Sequence, residues 1–388
     1  MPLEEAAGLT LARDVFALYD IPGFLQSSMD GYAFAFDEYM PGKPMPVAGL
    51  IAAGSADKIN MARGSACRIF TGAPLPTGAD TVIMQESVSV TDGMLTVTGE
   101  QPIKGQLVRP VGSEIRKNEL ILGNGHVLSA PSVSYLAGTG VTEVIAYPSP
   151  VVTIIVTGNE FQPRGTTPEY GRVFESNSIG LKAALKSVGI SEVHVQFASD
   201  SLTATVEALS AALLTSQLVL LTGGVSVGDY DFVVGAAASC GISRGFHKVK
   251  QKPGKPLYFG TKRDIPVFGL PGNPSSVLTC YYEYVLEAIQ ILSCRPCTLQ
   301  KTEGVLLEPL KKSAGLTHFM KATLSDGSVN FLNAQESFRL ASFARANCLL
   351  IFDEYSTSLQ SGDKVEVHIL PSSMNTSDVS FNAATRNG

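Results

Sequence analysis

The fold is decided by the stretch Leu218-Val219-Leu220-Leu221-Thr222-Gly223-Gly224-Val225-Ser226-Val227-Gly228-Asp229-Tyr230-Asp231. Its first half carries no charge and predicts a fully buried strand. Gly223 and Gly224 then permit positive φ angles and the close approach of another group to the backbone. The mostly apolar stretch 231–238 that follows predicts a helix. Strand, glycine turn and helix in this order are typical of an open parallel α/β sheet, whose ligands bind beyond the carboxyl ends of the strands.

The glycine turn admits three interpretations. Free backbone N–H groups at such a turn favour an anion, often phosphate, and Asp229 and Asp231 add carboxylates that can hold it through a hard metal ion. On this interpretation, the glycine pair and Ser226 bind substrate. Residues 224–228 also match the G-x-S-x-G pattern of α/β-hydrolases. A nucleophile elbow starts its helix almost at the serine, whereas here Gly228, Asp229 and Tyr230 intervene before the predicted helix. The third possibility is a tight turn without any ligand.

Length and composition restrict the class of protein. A chain of 388 residues is too long for a single hydrophobic core, and about two to four domains are expected. Hydrophobic residues make up 45% and charged residues 16%, so a large core is available and disorder is expected only at the ends. The net charge of −6, without any strongly basic stretch, argues against nucleic acid as the main partner. No long apolar run or signal pattern is present, which predicts a cytoplasmic protein without a membrane partner.

The six cysteines are scattered along the chain and do not form the framework of a disulfide-rich domain. Cys294 and Cys297 form a lone C-x-x-C pair. Structural zinc needs four ligands, and neither a second pair nor suitably spaced histidines are present. We interpret the pair as a coincidence in a linker.

The pattern of apolar residues changes along the chain, and this predicts several domains. Short runs punctuated by Gly, Pro and Asp predict β structure at both ends of the chain, including hairpins that turn at Asp92-Gly93 and Asp326-Gly327. Between them, apolar runs alternate with helical segments, which indicates a mostly parallel sheet covered by helices. The predicted domains are a discontinuous small α/β domain (1–16 and 112–148), a β-rich insertion (17–111), an α/β domain (149–297), a β domain (298–371) and a disordered tail (372–388).

Two polar features of the predicted α/β domain suit anions. Lys248, Lys250 and Lys252 have period two, so on a strand over 246–250 and beyond they would face one side, and Lys255 follows in the turn Pro253-Gly254-Lys255-Pro256. Converging lysines need anions to compensate them, although an edge strand that uses lysines against aggregation is the alternative.

The segment Pro271-Gly272-Asn273-Pro274-Ser275-Ser276 precedes an apolar helix. Asn273 fits the N-cap and Pro274 the first helical position. Free N–H groups and two hydroxyls at a positive dipole end suit an oxyanion, although simple capping is the alternative. In the same domain, Asp200 is predicted to cap a helix over 201–214.

Taken together, the motifs resemble the molybdopterin molybdotransferase family, related to the E domain of gephyrin. The resemblance extends from about residue 3 to residue 371. Its motifs, in order, are Ser28-Met29-Asp30-Gly31-Tyr32-Ala33, Thr71-Gly72-Ala73-Pro74, Thr157-Gly158-Asn159-Glu160, Glu175-Ser176-Asn177, residues 223–231, Lys252-Pro253-Gly254-Lys255-Pro256 and Gly269-Leu270-Pro271-Gly272-Asn273-Pro274.

The resemblance implies the last assembly step of the molybdenum cofactor, in which molybdate enters adenylated molybdopterin and AMP leaves, with Mg²⁺ required. It implies an elongated homodimer of molybdopterin-binding α/β, β-rich and C-terminal β-barrel-like domains, with sites that use both subunits. The implied partners are a molybdopterin adenylyltransferase upstream, and molybdoenzymes or their chaperones downstream.

Site residues are carried over motif by motif. The functional acids would be Asp30, Glu160, Asp200 and Asp231, with Thr71 in the same cleft. Glu160, Asp200, Asp231 and Glu114 would be the Mg²⁺ ligands. The residues lining the pterin-phosphate and molybdate side would be Lys248, Lys252, Lys255, Pro271, Pro274 and Ser276, and Asn273 and Ser342 are added to the substrate-binding set.

The chain departs from the family pattern in three places. Glu114 stands where the family commonly has Asp. Leu316 and Lys321 stand where the family has arginines, and a lysine loses bidentate recognition of oxyanions. These departures keep a catalytically inactive binding or scaffold homologue as the alternative, next to a hydrolase that acts through Ser226.

Overall fold

The computed structural model describes residues 1–55, 59–224, 232–295 and 299–371. The chain divides into two compact units, Met1–Ala146 and Tyr147–Gly388. Several predictions fall outside the described residues, namely those on Ser226, Asp229, Asp231, Cys297 and the tail 372–388.

The first unit is β-rich, as the short punctuated runs predict. Its largest sheet has six strands in the order Thr81–Met84, Gly31–Phe34, Ala66–Ile69, Met45–Ile51, Met94–Val97 and Val88–Thr91. The shorter strands are Thr10–Leu11, Val15–Phe16, Gln26–Ser27, Val108–Arg109 and Leu120–Leu122, and the 3₁₀ turns are Leu3–Glu5, Phe36–Glu38 and Gln85–Ser87. The hairpin at Asp92-Gly93 is confirmed, and both residues have the positive φ angles that a tight hairpin turn requires.

A separate core in the first unit joins its beginning to its end. Leu3 and Leu11 pack with Ile121, Leu128 and Leu136 in one buried cluster. Leu136 lies on the helix Ala130–Gly138, which starts where Ser129 Oγ accepts a hydrogen bond from the Ser132 backbone N–H. The chain thus leaves this core after its first turns and returns to it before residue 146.

The second unit is built on a six-stranded, mostly parallel sheet. We label its strands β1 to β6 along the chain: Val152–Thr157, Val193–Ala198, Leu218–Thr222, Ser243–His247, Tyr258–Lys262 and Ile265–Leu270. Their order in the sheet is β2-β1-β3-β6-β5-β4, and the first four run parallel. Every residue of β1 and β3 is buried, which is why both lack the alternating pattern of a half-exposed strand.

Helices cover both faces of this sheet, which explains that burial. Leu181 of Asn177–Ser187 and Val277 of Pro274–Cys280 pack on one face, while Leu209 of Leu202–Thr215 packs on the other with Phe232–Ser239. The helix Pro274–Cys280 continues through a π-helical turn, Tyr281–Val285, into Leu286–Leu292. The segment after β1 therefore leads to one face and the segment after β3 leads to the opposite face, which opens a crevice between their carboxyl ends.

The cap of the helix Leu202–Thr215 differs from the prediction. Ser201, not Asp200, is the N-cap, and its Oγ accepts a hydrogen bond from the Ala204 backbone N–H at 3.2 Å. A serine hydroxyl can accept the hydrogen bond of a free backbone N–H in the first helical turn as well as a carboxylate can. The Asp200 carboxylate is therefore not used for capping.

The rest of the second unit is a closed barrel of five strands. They are Gln300–Leu306, Thr317–Ser325, Ser328–Phe331, Cys348–Phe352 and Lys364–Ile369. The barrel closes because Thr317–Ser325 pairs with both Ser328–Phe331 and Cys348–Phe352. The remaining short strands are Ala146–Tyr147, Phe161–Gln162, Val173–Phe174, Gln251–Lys252, Leu310–Lys311 and Ser358–Leu359, and Phe343–Arg345 forms a 3₁₀ turn. No helix in the described parts of the chain is long and apolar enough to cross a bilayer.

A buried ion pair joins the barrel to the helical segment behind the sheet. His368 Nδ1 lies 2.9 Å from Glu283 Oε2, and each side chain is 6% exposed. His368 Nε2 is also hydrogen-bonded to Glu366 Oε1 at 2.9 Å. Burial lowers the pKa of His368, and the charge of Lys301 lowers it further. The hydrogen bonds to Glu283 and Glu366 and the charge of Glu283 outweigh both effects, so the pKa of His368 is raised overall.

We therefore expect a pH-dependent contribution of His368 to stability. Because its pKa is higher in the folded protein, the stabilisation is complete below the unfolded pKa of about 6.5 and is lost as the pH rises through the folded pKa. The urea midpoint of the wild type should fall between pH 6 and pH 9 by more than that of His368→Gln. The exposed His194, which lies 3.7 Å from Glu192, is the matched control. If His368→Gln and His194→Gln follow the same pH profile as the wild type, the buried pair is not what couples pH to stability.

Candidate functional site

A cleft of about 940 Å³ opens at the carboxyl ends of the parallel strands of the second unit. The segments after all four of these strands line it, with Glu160 after β1, Asp200 after β2, Gly223 after β3 and Asn273 after β6. This is the edge at which an open α/β sheet binds its ligand. The sequence predicts that each of these residues follows a strand. They meet in one cleft because the four strands are parallel and end at the same edge of the sheet.

Carboxylates lie at one side of the cleft. Glu160 and Asp200 follow the paired strands β1 and β2, and the Asp200 backbone N–H donates to Asn159 Oδ1 at 3.3 Å. Arg172 in turn donates to the Asn159 carbonyl. Among the described residues, no group of three or more acidic, histidine or cysteine side chains is close enough to hold a metal. Two carboxylates open to solvent nevertheless fit Mg²⁺, which takes oxygen ligands and keeps several waters.

The glycine pair after β3 is required by close packing. Gly223 and Gly224 have φ angles of +83° and +63°. A Cβ on Gly223 would lie 2.6 Å from the carbonyl oxygen of Thr157, at the end of β1. The group that approaches this bare backbone in the structure is therefore the neighbouring strand. Both glycines also line the cleft, which leaves their assignment to substrate binding as a prediction.

The predicted strand of converging lysines is wrong. Strand β4 ends at His247, Lys248 has a φ of +69°, and a separate short strand begins at Gln251. Period two therefore does not apply across 248–252. Of the predicted lysines, Lys252 and Lys255 line the cleft and Lys248 does not. Lys250 Nζ lies 4.0 Å from Glu354 of the barrel.

Gln251, which sequence reasoning missed, holds the lysine turn in place. Its Nε2 donates to the carbonyls of Pro253 and Gly254 at 3.1 and 3.4 Å, and its Oε1 accepts a hydrogen bond from Tyr284. Gln251 is 1% exposed. Burial raises the pKa of Tyr284 to about 12, so the phenol stays a donor at neutral pH. The only sign of this role in the sequence is that a glutamine stands within a lysine-rich segment.

The start of the helix Pro274–Cys280 forms the opposite side of the cleft. Asn273 is the N-cap and Pro274 the first helical residue, as predicted. The Asn273 side chain makes no capping bond, however, and its Nδ2 donates to Ser337 Oγ at 2.8 Å. The Ser275 backbone N–H donates to the Ser337 carbonyl at 3.0 Å. A loop of the barrel therefore lies directly against this helix start. Pro271, Pro274 and Ser276 also line the cleft.

The two departures from the family pattern in the barrel have different environments. Leu316 lines the cleft. Lys321 is 2% exposed, and its ammonium donates to three backbone carbonyls. Ser342 is fully buried and its Oγ donates to the Ala334 carbonyl at 2.7 Å. Neither Lys321 nor Ser342 is among the described residues that line the cleft.

A second cavity of about 670 Å³ also has Lys252 in its lining. The barrel contributes Lys311, Lys312 and His318 to it. Burial lowers the pKa of His318, and the charges of Lys252 and Lys312 lower it further, so the imidazole is neutral at pH 7. The charged side chains that line this cavity are therefore Lys252, Lys311, Lys312 and Glu336.

The predicted functional residues of the first unit form their own pair. Asp30 Oδ1 accepts hydrogen bonds from the backbone N–H and the Oγ1 of Thr71, both at 2.7 Å. These bonds and the charge of Arg68 hold the pKa of Asp30 below its ordinary value. Asp30 is thus ionised at neutral pH and fixed in orientation. Glu114, the remaining predicted metal ligand, also lies in the first unit, where its backbone N–H donates to the Ile21 carbonyl.

Comparison with known proteins agrees with this arrangement. Three family models match the chain: the MoeA N-terminal region (domain I and II) over residues 1–140, a "probable molybdopterin binding domain" over 153–291 and the MoeA C-terminal region (domain IV) over 303–370. The molybdopterin molybdenumtransferase of Haemophilus influenzae is 30% identical over 373 residues, covering 94% of this chain and 92% of the relative. The chain belongs to the molybdopterin molybdenumtransferase (MoeA) family.

Other relatives support the same assignment. The molybdopterin molybdenumtransferase 2 of Mycobacterium tuberculosis is 31% identical over 382 residues, covering 95% of this chain and 94% of the relative. The crystal structure of the molybdopterin biosynthesis MoeA protein from Pyrococcus horikosii matches with a TM-score of 0.80 and 28% identity, covering 95% and 93% of the two chains. The resemblance and the fold class inferred from the sequence are thus confirmed. The chain is an enzyme of molybdenum cofactor biosynthesis.

Proposed function

We propose that the chain inserts molybdate into adenylated molybdopterin and releases AMP in a Mg²⁺-dependent reaction. The observation that carries this proposal is the distribution of charge in one cleft, with Glu160 and Asp200 on one side and Lys252 and Lys255 beyond the other strands. The substrate carries a pyrophosphate, and molybdate is a dianion. Ammonium groups and a helix N-terminus suit both anions, while carboxylates suit a metal-bound phosphate.

The carboxylate side is the proposed metal site. Glu160 and Asp200 would hold Mg²⁺ directly or through its waters, and Asp231 is carried over as a further ligand from the sequence motif. When bound, Mg²⁺ would neutralise charge on the phosphoryl group that leaves with AMP. The protein's own contribution is to hold the two carboxylates at the ends of the paired strands β1 and β2, where the sheet backbone sets their spacing.

The lysine side is the proposed site for the pterin phosphate and molybdate. Lys252 and Lys255 lie on the turn that Gln251 holds, so their backbone positions are set before an anion arrives. Groups that are already oriented need little reorganisation when charge develops on the substrate. Asp30 and Thr71 of the first unit remain part of the proposed catalytic set on the strength of their motifs and of their mutual hydrogen bonds.

One observation favours a binding protein that does not turn over. The described barrel residues that line the cleft are Leu316, Gln335, Ser337 and Phe338, and none of them is charged. An oxyanion in the cleft would thus obtain its cationic partners from the α/β domain. A chain that binds the adenylated substrate without processing it is therefore the second candidate.

Turnover of the purified protein separates the two candidates. We expect AMP to appear when adenylated molybdopterin, molybdate and Mg²⁺ are all present, and to stay at background when molybdate or Mg²⁺ is omitted. AMP is followed by chromatography, and protein-bound molybdenum by metal analysis. Binding of the adenylated substrate without AMP release under all conditions would support the binding protein. A serine-directed phosphonate that labels the chain would instead favour the hydrolase alternative.

We also propose that the protein acts as a homodimer in the cytoplasm, between a molybdopterin adenylyltransferase and the molybdoenzymes or their chaperones. Exposed apolar side chains in the first unit support dimerisation. Phe16 and Leu120 lie opposite each other on paired strands and are about half exposed. Leu18 and Tyr19, which follow Phe16 closely in sequence, are also exposed. The described cysteines are all free thiols, as is usual in a reducing compartment.

A charge in this apolar patch should disrupt the dimer. Leu120→Glu is expected to convert a dimer to a monomer in light scattering at micromolar protein, because burying an unpaired carboxylate in an interface is costly. Leu214→Glu, at an 86% exposed position in the second unit, is the matched control and should leave the mass unchanged. If Leu120→Glu stays dimeric, this patch is not the interface.

A further inference from the structure

The loop between Ser328–Phe331 and the 3₁₀ turn Phe343–Arg345 forms the barrel's wall of the cleft. We call residues 332–342 the cleft loop. Gln335, Ser337 and Phe338 line the cleft, and Ser337 is hydrogen-bonded to Asn273 and Ser275 at the helix start across it. The course of this loop therefore decides where the barrel meets the anion-binding side of the α/β domain.

The ammonium of Lys321 lies at the centre of this loop. Its Nζ donates to the carbonyls of Ala334 at 2.9 Å, Arg339 at 3.1 Å and Glu336 at 3.5 Å. An ammonium has three donors, so all of them are used. Because the three acceptors belong to one loop, the loop curls around a single buried charge.

The backbone and amide groups around Lys321 reinforce this arrangement. The Lys321 N–H donates to Gln335 Oε1 at 3.0 Å, and Gln335 Nε2 donates back to the Lys321 carbonyl at 2.8 Å. Ala334 has a φ of +64°, which is unfavourable for a residue with a Cβ. Its carbonyl is held from two sides, by Lys321 Nζ and by Ser342 Oγ.

The environment of Lys321 excludes direct contact with an oxyanion in the cleft. The side chain is 2% exposed and its donors are saturated by the protein. Burial lowers the pKa of Lys321, and the charge of Arg339 adds to this while that of Glu336 opposes it. A buried charge that is removed without its partners leaves those partners unsatisfied, so the three carbonyls would have to find new donors.

We propose that Lys321 is a positioning residue, whose buried ammonium holds the cleft loop so that Ser337 contacts the helix start and Gln335 and Phe338 line the cleft. Ser342 assists by holding the same Ala334 carbonyl. The consequence for catalysis depends on the proposed molybdate insertion, but the consequence for loop position does not.

The position of the loop is measurable without any substrate. The chain has no tryptophan, so Phe338→Trp introduces a single fluorescent reporter at the cleft wall. Phe338 is 61% exposed, so the reporter is partly shielded in the structure. In this background, Lys321→Met should raise the acrylamide quenching constant toward that of a fully exposed tryptophan, and Lys321→Arg, which keeps the charge, should return it part of the way to the parent value. Lys364→Met is the matched control, because Lys364 is a barrel lysine that is 76% exposed.

Two results would overturn this part of the proposal. The first is a folded Lys321→Met protein whose quenching equals that of its parent. The second concerns Ser342→Ala, which removes only a hydroxyl and covers the case in which Lys321→Met does not fold. If Ser342→Ala leaves the quenching unchanged, the Ala334 carbonyl does not control the loop.

Kinetics then test the effect on the reaction. In the turnover assay, Lys321→Met should raise the KM for adenylated molybdopterin about ten-fold at an unchanged fraction of folded protein. A loss of folded enzyme alone would lower kcat and leave KM unchanged, and that outcome would contradict the positioning role. The effects of Lys321→Met and Ser342→Ala should be less than additive because both act on one carbonyl. If the wild type shows no turnover, the proposed function fails, while the quenching experiment still decides the role of Lys321.

Discussion

Asp200→Asn and Glu160→Gln are each expected to lower the rate of AMP release by about 100-fold or more. The expected size is that of removing one preorganised electrostatic group from an active site. Both side chains lie at the carboxyl ends of paired strands and line the cleft. Because Ser201 caps the helix that follows Asp200, the substitution does not remove the helix cap and tests the role of the Asp200 carboxylate in the cleft.

The measurement is AMP release at saturating adenylated molybdopterin, molybdate and Mg²⁺, together with urea unfolding of each variant. We expect the free energy of unfolding to change by less than about 0.5 kcal/mol, as for other surface substitutions. Glu169→Gln is the matched control, since Glu169 is an exposed acid that does not line the cleft. If Asp200→Asn and Glu160→Gln release AMP as fast as Glu169→Gln does, these carboxylates are not part of the mechanism.

Gly223→Ala is expected to have the largest effect on stability. Gly223 has a φ of +83°, and an added Cβ would lie 2.6 Å from the Thr157 carbonyl oxygen and 2.8 Å from its Oγ1. The atoms of β1 cannot move away cheaply, because every residue of that strand is buried and paired. We expect a loss of roughly 2–5 kcal/mol, which combines the cost of a positive φ with that of overpacking.

Gly241→Ala is the control that separates these two costs. Gly241 has a similar φ of +69°, but no atom lies within 4 Å of a Cβ placed on it. Gly241→Ala should therefore lower the free energy of unfolding only by the cost of a positive φ, about 1–2 kcal/mol. The comparison uses the urea midpoint and its slope for both variants. Equal losses would mean that contact with β1 contributes nothing, and that Gly223 is required only for its backbone conformation.

Much of the fold follows from local patterns. The short runs punctuated by Gly, Pro and Asp predicted β structure at both ends of the chain, and the six-stranded sheet of the first unit and the barrel of the second unit confirm it. The hairpins at Asp92-Gly93 and Asp326-Gly327 were identifiable because few residue pairs accept two consecutive positive φ angles. The alternation of apolar runs and helices in the second unit predicted a mostly parallel sheet, and the segments after its strands do meet in one cleft.

The positions of polar side chains were predicted less well than the strands and hairpins. Lys248, Lys250 and Lys252 have the spacing of one strand face, but Lys248 adopts a positive φ and the strand ends before it. Asn273 has the position of an N-cap, but its amide binds Ser337. The spacing of the lysines and the position of Asn273 are real features of the sequence, but a positive φ at Lys248 and a hydrogen-bond partner 64 residues from Asn273 decided the outcome.

The sequence by itself determined the family, the order of the strands along the chain and the residues that follow each strand, because motif order and apolar periodicity are local properties. Only the tertiary structure decided which polar groups face the cleft. Lys321 illustrates the reason, since a buried ammonium needs an acceptor for each of its donors and finds these carbonyl acceptors on a loop 13 to 18 residues away. Hydrogen-bond satisfaction in a core depends on every group that packs around the site, and that set is defined only once the chain has folded.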